Sequence, residues 1–99
     1  MIRRDGDCMF VSGPLTLAHV AAALGEGNGA IGEGARSIDL GEVSELDSSA
    51  LALLLAWLRG AKRRDAKLVF SNLPQGLTTI ARLYGVAELL PAPSASAHH

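Results

Sequence analysis

The chain has 99 residues, enough for one domain near the lower end of the sizes that bury a core unaided. It is 48% hydrophobic and 19% charged but only 4% aromatic, so a core must be built mainly from Leu, Val, Ile and Ala. A formal net charge of -1 excludes a bulk electrostatic drive toward nucleic acid or anionic membrane, and the single cysteine, Cys8, excludes an internal disulfide and a cage of Cys ligands around zinc.

In chain order, Ile2-Arg3-Arg4 and Asp7 to Ser12 flank Asp5-Gly6, a dipeptide suited to the positive φ angles of a tight hairpin. Two antiparallel strands are predicted there, with Cys8 an inert core residue of an apolar strand, and Gly13-Pro14 ends the hairpin. Thr16 can cap a helix whose Leu17, Val20, Ala21 and Leu24 fall at i, i+3, i+4 and i+7. Gly25 to Gly34 is glycine-rich and is read as a loop. Arg36 to Leu40 follows as a short strand, then a polar turn from Gly41 to Asp47, then a long helix to about Arg64. Lys67 to Ser71 reads as a strand, and its Leu68-Val69-Phe70 run suits burial on both faces. Asn72 and Pro74 open a third helix with Leu77, Ile80, Ala81 and Tyr84 as its apolar stripe, closed by Gly85 in a left-handed conformation. Residues 1–90 form the domain, and from Pro91 to His99 the Pro, Ala and Ser content predicts a disordered tail. Helices alternating with strands predict an α/β fold: a small, partly parallel sheet of about four strands with helices mainly on one face.

Several motifs dissolve on inspection. Gly27-Asn28-Gly29-Ala30-Ile31-Gly32 matches the letters of a dinucleotide fingerprint. That chemistry needs a loop leaving a strand and opening a helix, whereas here the predicted order is reversed. No lysine follows to make a P-loop, so the segment is read as a connector. His19 is the only histidine outside the tail and lies on the polar side of the first helix, so no serine has an evident base. No carboxylate pair or metal-ligand spacing stands out, and neither an enzyme nor a cofactor or metal site is expected. Arg59, Lys62, Arg63, Arg64 and Lys67 cluster at the end of the second helix. They offset the negative pole of that helix, or they face lipid headgroups or an acidic partner. No aromatic interleaves them, which argues against nucleic acid.

The second helix is the informative element. Asp47-Ser48-Ser49 precedes Ala50 to Leu58, and three small polar residues exceed what a single N-cap needs. Leu51, Leu54, Leu55 and Leu58 make one stripe for the sheet, while Leu53 and Trp57 project from the opposite side with Ser49, Ala56 and Gly60. Leaving Leu53 and Trp57 wet would forgo roughly 1.5–3 kcal/mol per large side chain. Either the third helix or the tail covers them, or they dock onto another protein, and the small residues beside Trp57 favour docking.

The order of elements, with Ile38-Asp39-Leu40, Val43, Asp47-Ser48-Ser49-Ala50-Leu51 and Leu68-Val69-Phe70, resembles a STAS domain, over about residues 5 to 90. Leu51-Ala52-Leu53-Leu54-Leu55 and Ala81-Arg82-Leu83-Tyr84-Gly85-Val86 are similar to the MlaB-like branch, the STAS subunits of Mla phospholipid ABC transporters. That resemblance implies a non-catalytic subunit that binds and supports the cytoplasmic ATPase (MlaF-like) of a transporter maintaining outer-membrane lipid asymmetry. Such a subunit would sit in the cytoplasm, peripheral to the inner membrane through its complex, without inserting in it or contacting lipid. It also implies a contact hydroxyl at Ser48. In the anti-anti-sigma branch the phosphorylated serine matches Ser49, and the partner would be an anti-sigma factor kinase. Ala50 stands where the family pattern usually has glycine. The partner-binding set expected is Asp47, Ser48, Ser49, Leu53, Ala56, Trp57 and Gly60, and the isolated domain could also pair with itself through that face. Two arginines at the N-terminus precede no apolar run of signal-peptide length, and Ala50 to Leu58 is about half a membrane span, which fits that compartment. A domain this small is expected to have little room for an acyl cavity.

Overall fold

A computed structural model describes residues 2–91. In chain order the elements are β1 (Ile2–Asp5), β2 (Cys8–Leu15), α1 (Leu17–Gly32), β3 (Ser37–Leu46), α2 (Ser48–Arg63), β4 (Val69–Ser71) and α3 (Gln75–Leu83), followed by a short 3₁₀ turn at Ala87–Leu89. The strands form one mixed sheet in the order β1-β2-β3-β4. β1 and β2 pair antiparallel, while β3 runs parallel to both of its neighbours. Of the expected tail, 91–99, only Pro91 lies within the described residues; its carbonyl accepts a 2.8 Å hydrogen bond from Phe70 N–H on the outer edge of β4.

Side chains alternate across a strand, and burial follows that period. Met9, Val11 and Leu15 of β2, Ile38 and Leu40 of β3, and Phe70 of β4 are buried in one core with Leu51 and Leu54 of α2 and Leu77 and Ala81 of α3. Their neighbours Cys8, Phe10, Ser37 and Asp39 point to the other face and are only half-buried. The helices therefore cover mainly one face, as expected. Cys8 is a correction: it sits on the open face, with its Sγ 3.6 Å from the Ser37 hydroxyl, and is not a core residue.

The hairpin forms one residue later than predicted. Asp5 pairs with Cys8, so Gly6 and Asp7 are the turn, and only Gly6 takes a positive φ, of 64°. A glycine at the first central position is the requirement of a type II′ turn. β2 then runs through Gly13-Pro14 to Leu15, and the predicted polar turn at 41–47 is, up to Leu46, the second half of β3, lying parallel to it, with Asp47 the N-cap of α2. Two bulges on β3 absorb the mismatch between Phe10 and Ser12 and between Gly13 and Pro14. At the first, Asp39 receives Gly41 N–H at 2.8 Å and the Asn72 side-chain amide at 2.9 Å.

The largest departure is the glycine-rich segment. Gly25 to Gly32 is the second half of α1, not a loop. A glycine inside a helix costs about 0.8–1.0 kcal/mol relative to alanine, so local propensity argues against this helix. Tertiary packing reverses the balance. The buried face of α1 is Ala23, Gly27, Ala30 and Ile31, at i, i+4, i+7 and i+8, and it lies on α2. Gly27 is where the indole of Trp57 lies: a Cβ there would sit inside 3.0 Å of three ring atoms. The ring is 0% exposed, and its Nε1–H donates to the Leu24 carbonyl at 3.3 Å.

That burial overturns the outward placement of Leu53 and Trp57, which are 4% and 0% exposed. The cover is α1, neither of the two elements expected to supply it. Tyr84, expected in the stripe of α3, is instead 63% exposed, while Gly85 takes the predicted left-handed conformation at φ 72°.

Candidate functional site

The N-termini of α1 and α2 meet at Asp47. One carboxylate oxygen accepts Ser49 N–H at 2.8 Å, the N-cap bond of α2, and the other accepts Leu17 N–H at 3.1 Å, the first amide of α1. Thr16, predicted to cap α1, occupies the N-cap position, but its hydroxyl pairs with His19 Nδ1 at 3.0 Å and caps nothing. The acid two elements away does that work. One side chain thus ties both helices, and two positive helix poles favour its charge. The Asp47 carboxyl is held below its ordinary value, first by the Ser49 amide. Desolvation works the other way, and the Leu17 amide and Ser49 hydroxyl add to the lowering.

From this junction an open groove of about 450 Å³ runs between the two helices. Leu17, Val20, Ala21 and Leu24 of α1 form one wall, and Ala52, Leu53 and Ala56 of α2 form the other. Ser49 stands at the capped end and Arg59 at the far end. The apolar stripe expected on α1 is this wall, with Val20 and Leu24 half-buried against the core and Leu17 and Ala21 exposed. α1 is rolled so that its small residues meet α2, which leaves Leu17 73% exposed. The signal was present in sequence: Ala23, Gly27 and Ala30 at helical spacing mark a face built for close helix approach.

The expected partner-binding residues divide accordingly. Ser49, Leu53 and Ala56 are together in the groove, Leu53 as its nearly buried floor. Ser48 is exposed beside it, and Asp47 holds the end together. Trp57 is a core residue, so its expected role as a contact anchor is withdrawn. Gly60 faces Asn28 near the opposite end of α1, in a separate polar hollow with Arg63 and Arg64. Leu17, Val20, Ala21 and Leu24, the apolar stripe of α1, line the groove but were not among the expected partner-binding residues. Among the described residues, no group of three His, Cys, Asp or Glu side chains could hold a metal ion, and no helix is long and apolar enough to cross a membrane.

Solved structures share this fold at low identity. An anti-sigma factor antagonist, SpoIIAA, in its unphosphorylated form matches with a TM-score of 0.69 at 18% identity, over 98% of this chain and 90% of that one. The Bacillus cell fate determinant SpoIIAA in its phosphorylated form matches with a TM-score of 0.64 at 18% identity, over 98% and 94%. A crystal structure of Mglu matches with a TM-score of 0.55 at 18% identity, over 76% of this chain but only 20% of that one. No curated protein matches the sequence. A family model described as "Mlab, STAS domain" matches residues 1–91, nearly the whole chain. The chain therefore belongs to the STAS domain family, in the group that carries the MlaB description.

Proposed function

We propose that this domain is a non-catalytic subunit that binds and supports the cytoplasmic ATPase of an Mla-type phospholipid ABC transporter, docking through the groove between α1 and α2. The observation that carries the reading is that groove: an apolar cleft, open to solvent and ending at the Ser49 hydroxyl, with the exposed Ser48 the residue before it, in a chain of the MlaB group. Exposed leucine beside small flat residues suits an inserted apolar ridge of a partner, with hydroxyls and Arg59 orienting it at the two ends. The subunit would lie in the cytoplasm, at the inner membrane through its complex.

The test is co-purification with the Mla-type ATPase subunit of the same organism. Ala52→Glu puts a charge on an exposed helical position of the groove wall and is expected to abolish capture while the domain stays folded. Ala22→Glu, exposed on α1 but outside the groove, should leave capture intact. Undiminished capture by Ala52→Glu counts against this surface. A concentration-dependent dimer that the same variant breaks would instead make a second copy the occupant.

A second reading has its own observation. The Ser49 amide donates to Asp47, so a phosphate on the Ser49 hydroxyl, with ~1.5–2 negative charges, would stand next to and repel the carboxylate that also holds Leu17. Phosphorylation of Ser49 would then loosen one wall of the groove, a switch suited to an anti-sigma factor antagonist bound by its kinase. Mass spectrometry after incubation with a kinase encoded nearby tests it, and an unmodified Ser49 would dismiss it.

A further inference from the structure

A second groove, of about 530 Å³, opens between the C-terminal half of α2 and β4. Its floor is aliphatic, from the half-buried Leu55 and Leu58 of α2 and from Leu68 and Val69 at β4. Leu89, 58% exposed, stands at its lip. The polar side chains lining it are all cationic: Arg59, Lys62 and Lys67. All three are exposed, and among the described residues the ion pairs are made elsewhere, by Arg3 with Glu42 and Arg4 with Glu33.

That combination restricts the ligand. The floor offers no side-chain donor or acceptor, so the buried part of the ligand must carry none of its own. The rim offers only positive charge, so the exposed part must be an anion. An extended peptide would bring a row of amides and carbonyls, and the outward N–H of β4 that would pair with it, at Phe70, is already bonded to Pro91. The volume lies within the ~300–1,000 Å³ typical of small-molecule pockets. We propose that this groove binds a single-chain lipid anion, a long-chain carboxylate or phosphate monoester, with its chain along Leu55, Leu58 and Leu68 and its head between Lys62 and Lys67. The groove lies on the surface, so the small size of the domain does not exclude it. A single dissolved amphiphile held there departs from the expectation that such a subunit touches no lipid, without requiring contact with the bilayer. Lys62 and Lys67 do not line the docking groove, so this assignment and the ATPase reading can fail separately.

The experiment is calorimetric titration of the full chain with dodecyl phosphate below its micellar concentration. Methyl NMR is recorded in parallel. Saturable one-to-one binding is expected, with shifts at Leu55, Leu58 and Leu68 and no competition from inorganic phosphate. The Lys62→Ala/Lys67→Ala variant should bind about tenfold more weakly, equivalent to ~1.4 kcal/mol. Absence of saturable binding overturns the assignment. So does equal affinity for neutral dodecyl maltoside, an unaffected double variant, or shifts confined to Leu17 and Leu24 in the other groove.

Discussion

Replacing Gly27 by alanine sets local propensity against packing in a single methyl group. In an exposed helix the change would stabilise by about 0.8–1.0 kcal/mol. Here the new Cβ would fall inside 3.0 Å of Cε2, Cζ2 and Nε1 of Trp57. The indole has nowhere to retreat: it is 0% exposed and hydrogen-bonded to Leu24. Overpacking of this kind costs typically ~1–3 kcal/mol, occasionally more, and rigid aromatic ring atoms put the site at or above the upper part of that range. After the propensity gain the net expectation is a loss of ~1–3 kcal/mol, or roughly 4–8 °C in Tm for each kcal/mol in a domain this size. Gly29→Ala supplies the contrast, because nothing lies within 4 Å of its added Cβ. It should gain up to ~1 kcal/mol. Urea unfolding of both variants, followed by far-UV circular dichroism, measures the pair. A Trp57→Leu background should remove most of the Gly27→Ala penalty, giving a coupling that a double-mutant cycle reads directly. If Gly27→Ala is as stable as Gly29→Ala, the packing of α1 on α2 described above is wrong.

Acid should release the junction of the two helices. Because the Asp47 carboxyl is lowered in the folded chain, its stabilising contribution is present above the ordinary aspartate value of about 3.9 and is lost as pH falls through the lowered one. The Leu17 and Ser49 amide resonances should therefore be constant from neutrality to about pH 4 and move together below it. In Asp47→Asn the carboxamide has one acceptor oxygen, so one of those two amides should lose its protection from hydrogen exchange at neutral pH. Equal protection of both would refute the shared cap. Gly85→Ala should cost ~1–2 kcal/mol through backbone strain alone, since φ is 72° and its Cβ would meet nothing within 4 Å. Gly85→Asn should cost less, and equal urea midpoints for the wild type and the alanine variant would contradict that conformation.

Much of this protein was decided locally. The alternation in β2 and the first half of β3, the Asp47 cap, the four-residue spacing of leucines on α2 and the left-handed Gly85 each follow from a few neighbouring residues, and each is found in the fold. The mixed α/β order could be read the same way. Leu68-Val69-Phe70, by contrast, suits burial on both faces, yet the fold buries Phe70 and leaves Val69 half-buried. What sequence could not decide was which surface of a helix meets which neighbour. Gly25 to Gly32 reads as a loop because glycine is a poor helix former, yet it is helical because Trp57, thirty residues away from Gly27, needs a face without a side chain. That one contact turns α1 so that Leu17 is exposed and Leu24 only half-buried. It buries the tryptophan that looked like an anchor and leaves the cleft beside it as the surface proposed for docking. Periodicity assigns each helix an apolar side, but only the packed structure chooses between two such sides, because the choice depends on the fit of distant side chains.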